Sequence, residues 1–134
     1  MYSNDKKVIF ETSRFGQVEV DSDKVITFPD GIVGFPSIKR YVLLDHNDTV
    51  VRWLHAIDDP DVAFIVVEPM VLVPDFKLTL DPTTKRYLKL EDAKDLVILV
   101  IIRVENERVI ANFHGPLLFN ASIMLGVQVV LDKI

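Results

Sequence analysis

The sequence predicts a mostly-β fold: a small antiparallel β-barrel-like single domain over residues 1–134, with one or two short helices. Three observations carry that expectation. Short β-branched and aromatic runs recur along the chain with Gly, Pro, Asn or Asp between them, the pattern of strands joined by turns. Helix signals are scarce, with one clear start at Asp81-Pro82. Finally, 134 residues that are 49% apolar and 26% charged, with no repeat or linker-like stretch, suit one domain around one core. Many short strands with few helices close readily into a barrel, which leaves the loops as the places where binding must sit.

The candidate strands are Val8–Glu11, Gln17–Val20, Val25–Phe28, Tyr41–Leu44, Val50–Ile57, Ala63–Glu68, Phe76–Leu80, Leu96–Val104, Val109–Phe113 and Gly126–Leu131. In Gln17-Val18-Glu19-Val20 the valines face one way and the polar groups the other, as one covered face requires. Leu96–Val104 does not alternate, which predicts a central strand covered on both faces. Glu105-Asn106-Glu107-Arg108 lies between two β-branched runs and reads as a hairpin turn, with Asn available for a left-handed residue. At Asp81-Pro82 the aspartate can cap free N–H groups and the proline fits the first helical position, leading into Thr83–Tyr87.

Composition excludes several functions. There is no cysteine, so disulfides, thiolate metal sites and thiol catalysis are out, and the cytoplasm is favoured. The polar stretch Met1–Lys7 lacks the apolar segment of a signal peptide, and the longest apolar run, Leu96–Ile102, is far too short to span a membrane. Net charge is −5, and it originates in the middle of the chain: residues 45–81 carry eight acids against Arg52 and Lys77. Such a field repels phosphate backbones and favours basic partners, or simply keeps the surface solvated. Some of the apolar surplus is expected on the surface as an interaction patch.

The densest cluster of special residues is Phe28-Pro29-Asp30-Gly31-Ile32-Val33-Gly34-Phe35-Pro36. It has neither the spacing nor the Lys and Ser/Thr of a phosphate loop; a tight corner plugged into the core by Phe28, Ile32 and Phe35 accounts for it. Asp58-Asp59-Pro60-Asp61 places three carboxylates in a turn between two strong strands. A calcium loop would need a flexible Gly where Pro60 stands, and a sugar-cleaving pair would need a cleft. That leaves an exposed acidic turn or a protein-contact turn. His46, His55 and His114 lack metal-ligand spacing, and no serine sits in a nucleophile motif. Lys85, Arg86 and Lys89 form a basic face offset by Glu91, Asp92 and Asp95, with no interleaved aromatics of the kind a nucleic-acid groove carries. Asn112 and Asn120 flank a Gly115-Pro116 turn; they either satisfy backbone groups there or contact a partner, and the structural role is favoured.

Three segments together resemble the FliW family of flagellar assembly factors. The first is the Phe-Pro-Asp-Gly-Ile-x-Gly-Phe corner at 28–35, preceded by Phe15-Gly16-Gln17-Val18-Glu19-Val20. The second is Asp58-Asp59-Pro60 followed by Ala63–Pro69, with Pro74-Asp75-Phe76 beyond. The third is Asn112, Pro116 and Asn120, followed by Gln128-Val129-Val130-Leu131. Where that family usually has Asn-Leu and a small residue before the proline, this chain reads Asn112-Phe113-His114-Gly115-Pro116, and it ends at Ile134 where relatives often continue with a tail.

The resemblance implies a protein that catalyses nothing and needs no cofactor or metal; the many strands, and the lack of a heptad or sustained amphipathic helical pattern, predict a monomer when free. The resemblance also implies two partners: flagellin, held before export, and the carbon storage regulator, an RNA-binding repressor of flagellin translation. The candidate partner-binding residues are Asp58, Asp59, Asp61, Glu68, Asn112 and Asn120. The rival reading is an oligonucleotide-binding-type barrel that takes nucleic acid or a small ligand, opposed by the acidic balance.

Overall fold

The computed structural model describes residues 6–131. Ten strands and two α-helices follow one another: β1 (Lys7–Thr12), β2 (Gly16–Asp21), β3 (Ile26–Thr27), β4 (Arg40–Asp45), β5 (Arg52–Ala56), β6 (Ala63–Val67), α1 (Pro69–Leu72), α2 (Pro82–Tyr87), β7 (Leu96–Glu105), β8 (Arg108–Ala111), β9 (Leu117–Asn120) and β10 (Leu125–Gln128). Hydrogen-bonded neighbours run β6-β5-β4-β3-β10-β9-β7-β8, and β6 pairs with β7 as well. Seven strands therefore close a ring, β3-β4-β5-β6-β7-β9-β10, with β8 carried outside it on β7. The expected barrel is present, and all its pairings are antiparallel except a single parallel pair between Leu125 and Thr27.

The ring's interior is filled by Ile26, Phe28, Ile32, Tyr41, Leu54, Ala56, Val66, Leu99, Leu117 and Phe119. Phe28 meets Tyr41 edge-on at 5.6 Å, a favoured aromatic geometry. A second cluster lies outside the ring, where β1 and β2 form a separate hairpin. Phe10 seats against Val42 and Ile57, with Val8, Val18, Val20 and Leu44 around it. The alternating valines of β2 thus cover the outer face of β4 and β5, as their spacing predicts.

β7 is central, pairing with β6, β8 and β9. Only its first half is covered on both faces: Leu99 and Val100 are buried, and Arg103, Val104 and Glu105 are exposed where the β7–β8 hairpin leaves the ring. Asn106 and Glu107 both take left-handed backbone, at φ 51° and 63°, the requirement of a two-residue hairpin turn. β8 and β9 run along the same strand with a shift of register: Ile102 faces Ala111, but Leu99 faces Leu117. Residues 112–116 form the bulge that absorbs the extra length.

One expected strand is absent, and two elements appear that the local signals did not assign. Phe76–Leu80 is not a strand; Phe76, Leu78 and Leu80 do alternate inward, but among the described residues no neighbouring strand pairs with them. Leu117–Asn120 is a strand that alternation could not reveal, because all four residues are buried. Pro69–Leu72 is a helical turn, with Pro69 in its first turn after Glu68. The helix at Pro82 starts as its sequence requires, with Asp81 accepting a hydrogen bond from the Thr84 N–H at 2.7 Å.

Candidate partner-binding surface

The acidic turn joins β5 to β6, and its three aspartates are held by different parts of the fold. Asp58 takes a two-pronged contact from Arg40 on β4, Nε to Oδ2 at 3.0 Å and Nη2 to Oδ1 at 2.6 Å. That hydrogen bond, more than the charge behind it, keeps the Asp58 carboxyl below its ordinary range and the guanidinium above its own. Asp59 accepts from the Asp61 N–H at 3.0 Å, closing the turn on itself. Asp61 accepts from the Ser13 hydroxyl, and the Ser13 N–H bonds to the Pro60 carbonyl at 2.8 Å. The turn is therefore clamped to the tip of the β1–β2 hairpin, a rigid acidic ridge. Beneath it lies Tyr41, wholly buried. Burial first and the Asp59 charge second push its phenol up to about 12, so it stays neutral at physiological pH.

Glu68 is exposed, at the start of α1, and its side chain makes no capping bond. The four residues Met70, Val71, Leu72 and Val73 follow, each 39–45% exposed. An uninterrupted apolar run left this open is uncommon away from an interaction surface. Glu68 and Asp75 flank it at either end, both exposed. This is the apolar patch that composition predicts without locating, and Glu68 is the one candidate that borders it in sequence.

The two asparagines separate. Asn112 is exposed, and its Oδ1 accepts from the Gly115 N–H at 3.1 Å, shaping the bulge. Asn120 is 2% exposed. Its Nδ2 donates to the carbonyls of Leu88 at 2.9 Å and Lys89 at 3.3 Å, and its Oδ1 accepts from the Ser122 N–H at 2.9 Å. Asn120 therefore offers no surface to a partner: it ties the end of α2 to the β9–β10 turn. The structural role is the one the geometry supports. Asn120→Ala leaves buried carbonyls without donors, which costs about 1–3 kcal/mol. Urea unfolding checks the loss, and faster amide exchange at Leu90 accompanies it.

The Phe28–Pro36 corner is likewise architectural. Gln128 on β10 accepts from the Val33 N–H at 2.7 Å and donates to the Gly115 carbonyl at 2.9 Å. One side chain thus stitches the corner to the bulge. Gly126 lies where a Cβ would come within 2.7 Å of the Phe28 ring. Of the histidines, His55 is buried on Phe10, with Nδ1 2.7 Å from the Ala56 carbonyl. His46 packs on Trp53, and His114 is exposed. Among the described residues no group of three or more His, Asp or Glu is placed to hold a metal ion, and no helix is long and apolar enough to cross a membrane.

Comparison with known proteins agrees with this architecture. A family profile described as "FliW protein" matches residues 8–134. A flagellar assembly factor FliW of Caldanaerobacter subterraneus is 35% identical over 126 residues, covering 91% of this chain and 84% of the relative. Its counterpart in Bdellovibrio bacteriovorus is 36% identical, covering 93% and 73%. A crystal structure of a flagellar assembly factor FliW superposes with a TM-score of 0.86 at 28% identity, covering 94% of this chain and 90% of that one. Matched in profile along nearly its whole length and in backbone throughout the barrel, this chain belongs to the FliW family of flagellar assembly factors.

Proposed function

We propose that this protein is a non-enzymatic partner switch of the cytoplasm. It binds flagellin before export and, once flagellin leaves, binds the carbon storage regulator and lifts its repression of flagellin translation. The observation that carries the reading is the open apolar run Met70–Val73 beside an acidic segment. Apolar area supplies affinity and the carboxylates steer a basic protein, since an RNA-binding surface is usually basic. The clamped ridge of Asp58, Asp59 and Asp61 fits such steering, because rigid charges need no reordering on contact. Free of partners, the protein is a monomer.

A switch works only if one partner lowers the affinity for the other, and by linkage the penalty is mutual. Room does not force exclusion. A standard interface takes about 800 Å² from each partner, roughly a tenth of the 8538 Å² exposed here. The two partners must therefore share one surface or couple through the barrel. The test saturates the protein with flagellin and titrates in the regulator, following complexes by size-exclusion chromatography. Displaced flagellin, or a regulator affinity falling as flagellin rises, is expected. A stable ternary complex with undiminished affinities defeats the switch. A regulator association rate that does not fall with added salt defeats the steering.

A further inference from the structure

The acidic character of the molecule is locally reversed at α2. Pro82, Lys85, Arg86, Lys89, Leu90 and Glu91 line a surface cleft of about 430 Å³ at α2. In the sequence the three cations look offset by neighbouring acids, but the fold directs those acids elsewhere. Asp92 accepts from the Lys94 N–H at 3.0 Å and pairs with the Lys94 ammonium at 3.6 Å. Asp95 is half-buried, lining an adjoining crevice with Lys89 and Glu91. Only Glu91 lines the cleft with Lys85, Arg86 and Lys89, three cations against one carboxylate, while the Asp81 carboxylate at the start of α2 is near enough to feel the Arg86 charge. Among the described residues none of the three cations forms an ion pair within 4.0 Å.

The backbone holds these cations in place at a conformational cost. α2 ends in paired bonds, Leu90 N–H to the Lys85 carbonyl at 3.2 Å and Lys89 N–H to the Arg86 carbonyl at 3.0 Å. In this helix stop the left-handed residue is usually glycine; here it is Lys89, at φ 53°. A lysine where glycine would be cheaper argues for a use of the side chain. Asn120 grips the carbonyls of Leu88 and Lys89 from β9, and Leu88 is fully buried. The platform is therefore rigid. In the seven-strand ring β9, to which Asn120 ties the end of α2, stands three strands from β4 by way of β10 and β3 and three from β5 by way of β7 and β6, so the cleft is set apart from the strands that carry Arg40 and the start of the acidic turn.

We propose that this cleft docks an acidic peptide segment of a protein partner, carboxylates on Lys85, Arg86 and Lys89 and an apolar side chain on Pro82 and Leu90. This partner is opposite in charge to the basic one proposed above and would occupy a separate surface. A nucleic acid is disfavoured as occupant: its long phosphate array would feel the net charge of −5, and no aromatic lines the cleft to stack a base.

The probe is a fluorescein-labelled peptide of about twelve residues, built from Glu-Glu-Leu repeats. Its anisotropy is followed at about 50 mM salt, where screening is weak, beside a single-stranded RNA of the same length. Saturable peptide binding is expected, weakened about tenfold by the Lys85→Gln/Arg86→Gln double variant through lost charge complementarity. Lys89→Gly is the decisive second variant. It relieves the left-handed backbone, so its melting temperature stays level or rises, yet peptide affinity falls about threefold. No saturable binding, or affinities unchanged in both variants, overturns the proposal. So does RNA bound more tightly than peptide with the same dependence on these residues.

Discussion

Gly31→Ala should cost about 3–5 kcal/mol, while Gly34→Ala, three residues on in the same corner, should cost only about 1–2 kcal/mol. Both glycines sit at positive φ, 70° and 91°, so each substitution pays the strain of an L side chain in that region. The difference is space. A Cβ on Gly31 would lie 2.5 Å from the Phe35 carbonyl oxygen and 2.7 Å from the Pro36 Cα. Those are backbone atoms, held by the Phe35 N–H bond to Ile32 at 2.6 Å and by Lys39 Nζ on the Pro36 carbonyl at 2.7 Å, and they cannot turn aside as a rotamer can. A Cβ on Gly34 meets nothing within 4 Å. Because Ile32 and Phe28 plug the barrel from this corner, displacement at Gly31 is passed into the core. Urea unfolding of the two variants measures the contrast. Equal losses would mean that the corner yields, and that close approach is not what fixes Gly31.

How far the sequence discloses all this depends on the range over which each feature is determined. Features decided within a few residues are legible. The Asp81-Pro82 start, the Asn106-Glu107 turn and the alternation of β2 each depend on local backbone preference or on one covered face. Pairing is decided elsewhere in the chain, so Phe76–Leu80 has the right period and no partner. β9 has a partner but no period, since a strand buried on both faces loses its alternation. The bulge at 112–116 could not be read either, because a three-residue change of register is visible only against β7.

The candidate residues divide by the same rule. That Asp58, Asp59 and Asp61 form an acidic turn is evident from their adjacency. That Arg40 and Ser13 hold two of them depends on contacts 18 and 48 residues away. For Asn120 the structural role was legible but its partners were not, because the carbonyls of Leu88 and Lys89 are 32 and 31 residues distant. The apolar surplus announced a surface patch, but placing it at Met70–Val73 required knowing that α1 lies outside the ring. Long-range packing decides which polar groups are spent and which apolar groups are left over.

The β1–β2 hairpin is where long-range packing alone holds a unit in place, and Phe10→Ala should release it at a cost of about 3–5 kcal/mol. The hairpin shares no strand pairing with the barrel. Its attachment centres on the Phe10 side chain, 5% exposed between Val42 and Ile57 and flanked by Val8, Val18 and Val20, with the tip held by the Ser13 contacts to Pro60 and Asp61 and by packing on Trp53. Removing the ring takes away most of the apolar contact and leaves a cavity the remaining valines fill poorly. Exposed tip bonds contribute far less. A weakened hairpin should open before the barrel does, because elements with few buried contacts unfold locally. Trp53 reports this event, being the chain's one tryptophan. The Arg14 guanidinium lies 4.3 Å from its ring centroid and Phe15 packs edge-on at 6.1 Å, both from the hairpin tip. In Phe10→Ala the indole emission should shift to the red and become open to quenchers at urea concentrations where the barrel's far-ultraviolet dichroism is still native. Amide exchange should quicken across Lys7–Asp21 while β7 stays protected. Ile9→Ala, one residue away but 58% exposed, should change stability by less than about 0.5 kcal/mol. If fluorescence and dichroism instead fall together in Phe10→Ala, the hairpin is integral to one cooperative unit, and the acidic ridge clamped to its tip moves only when the whole domain unfolds.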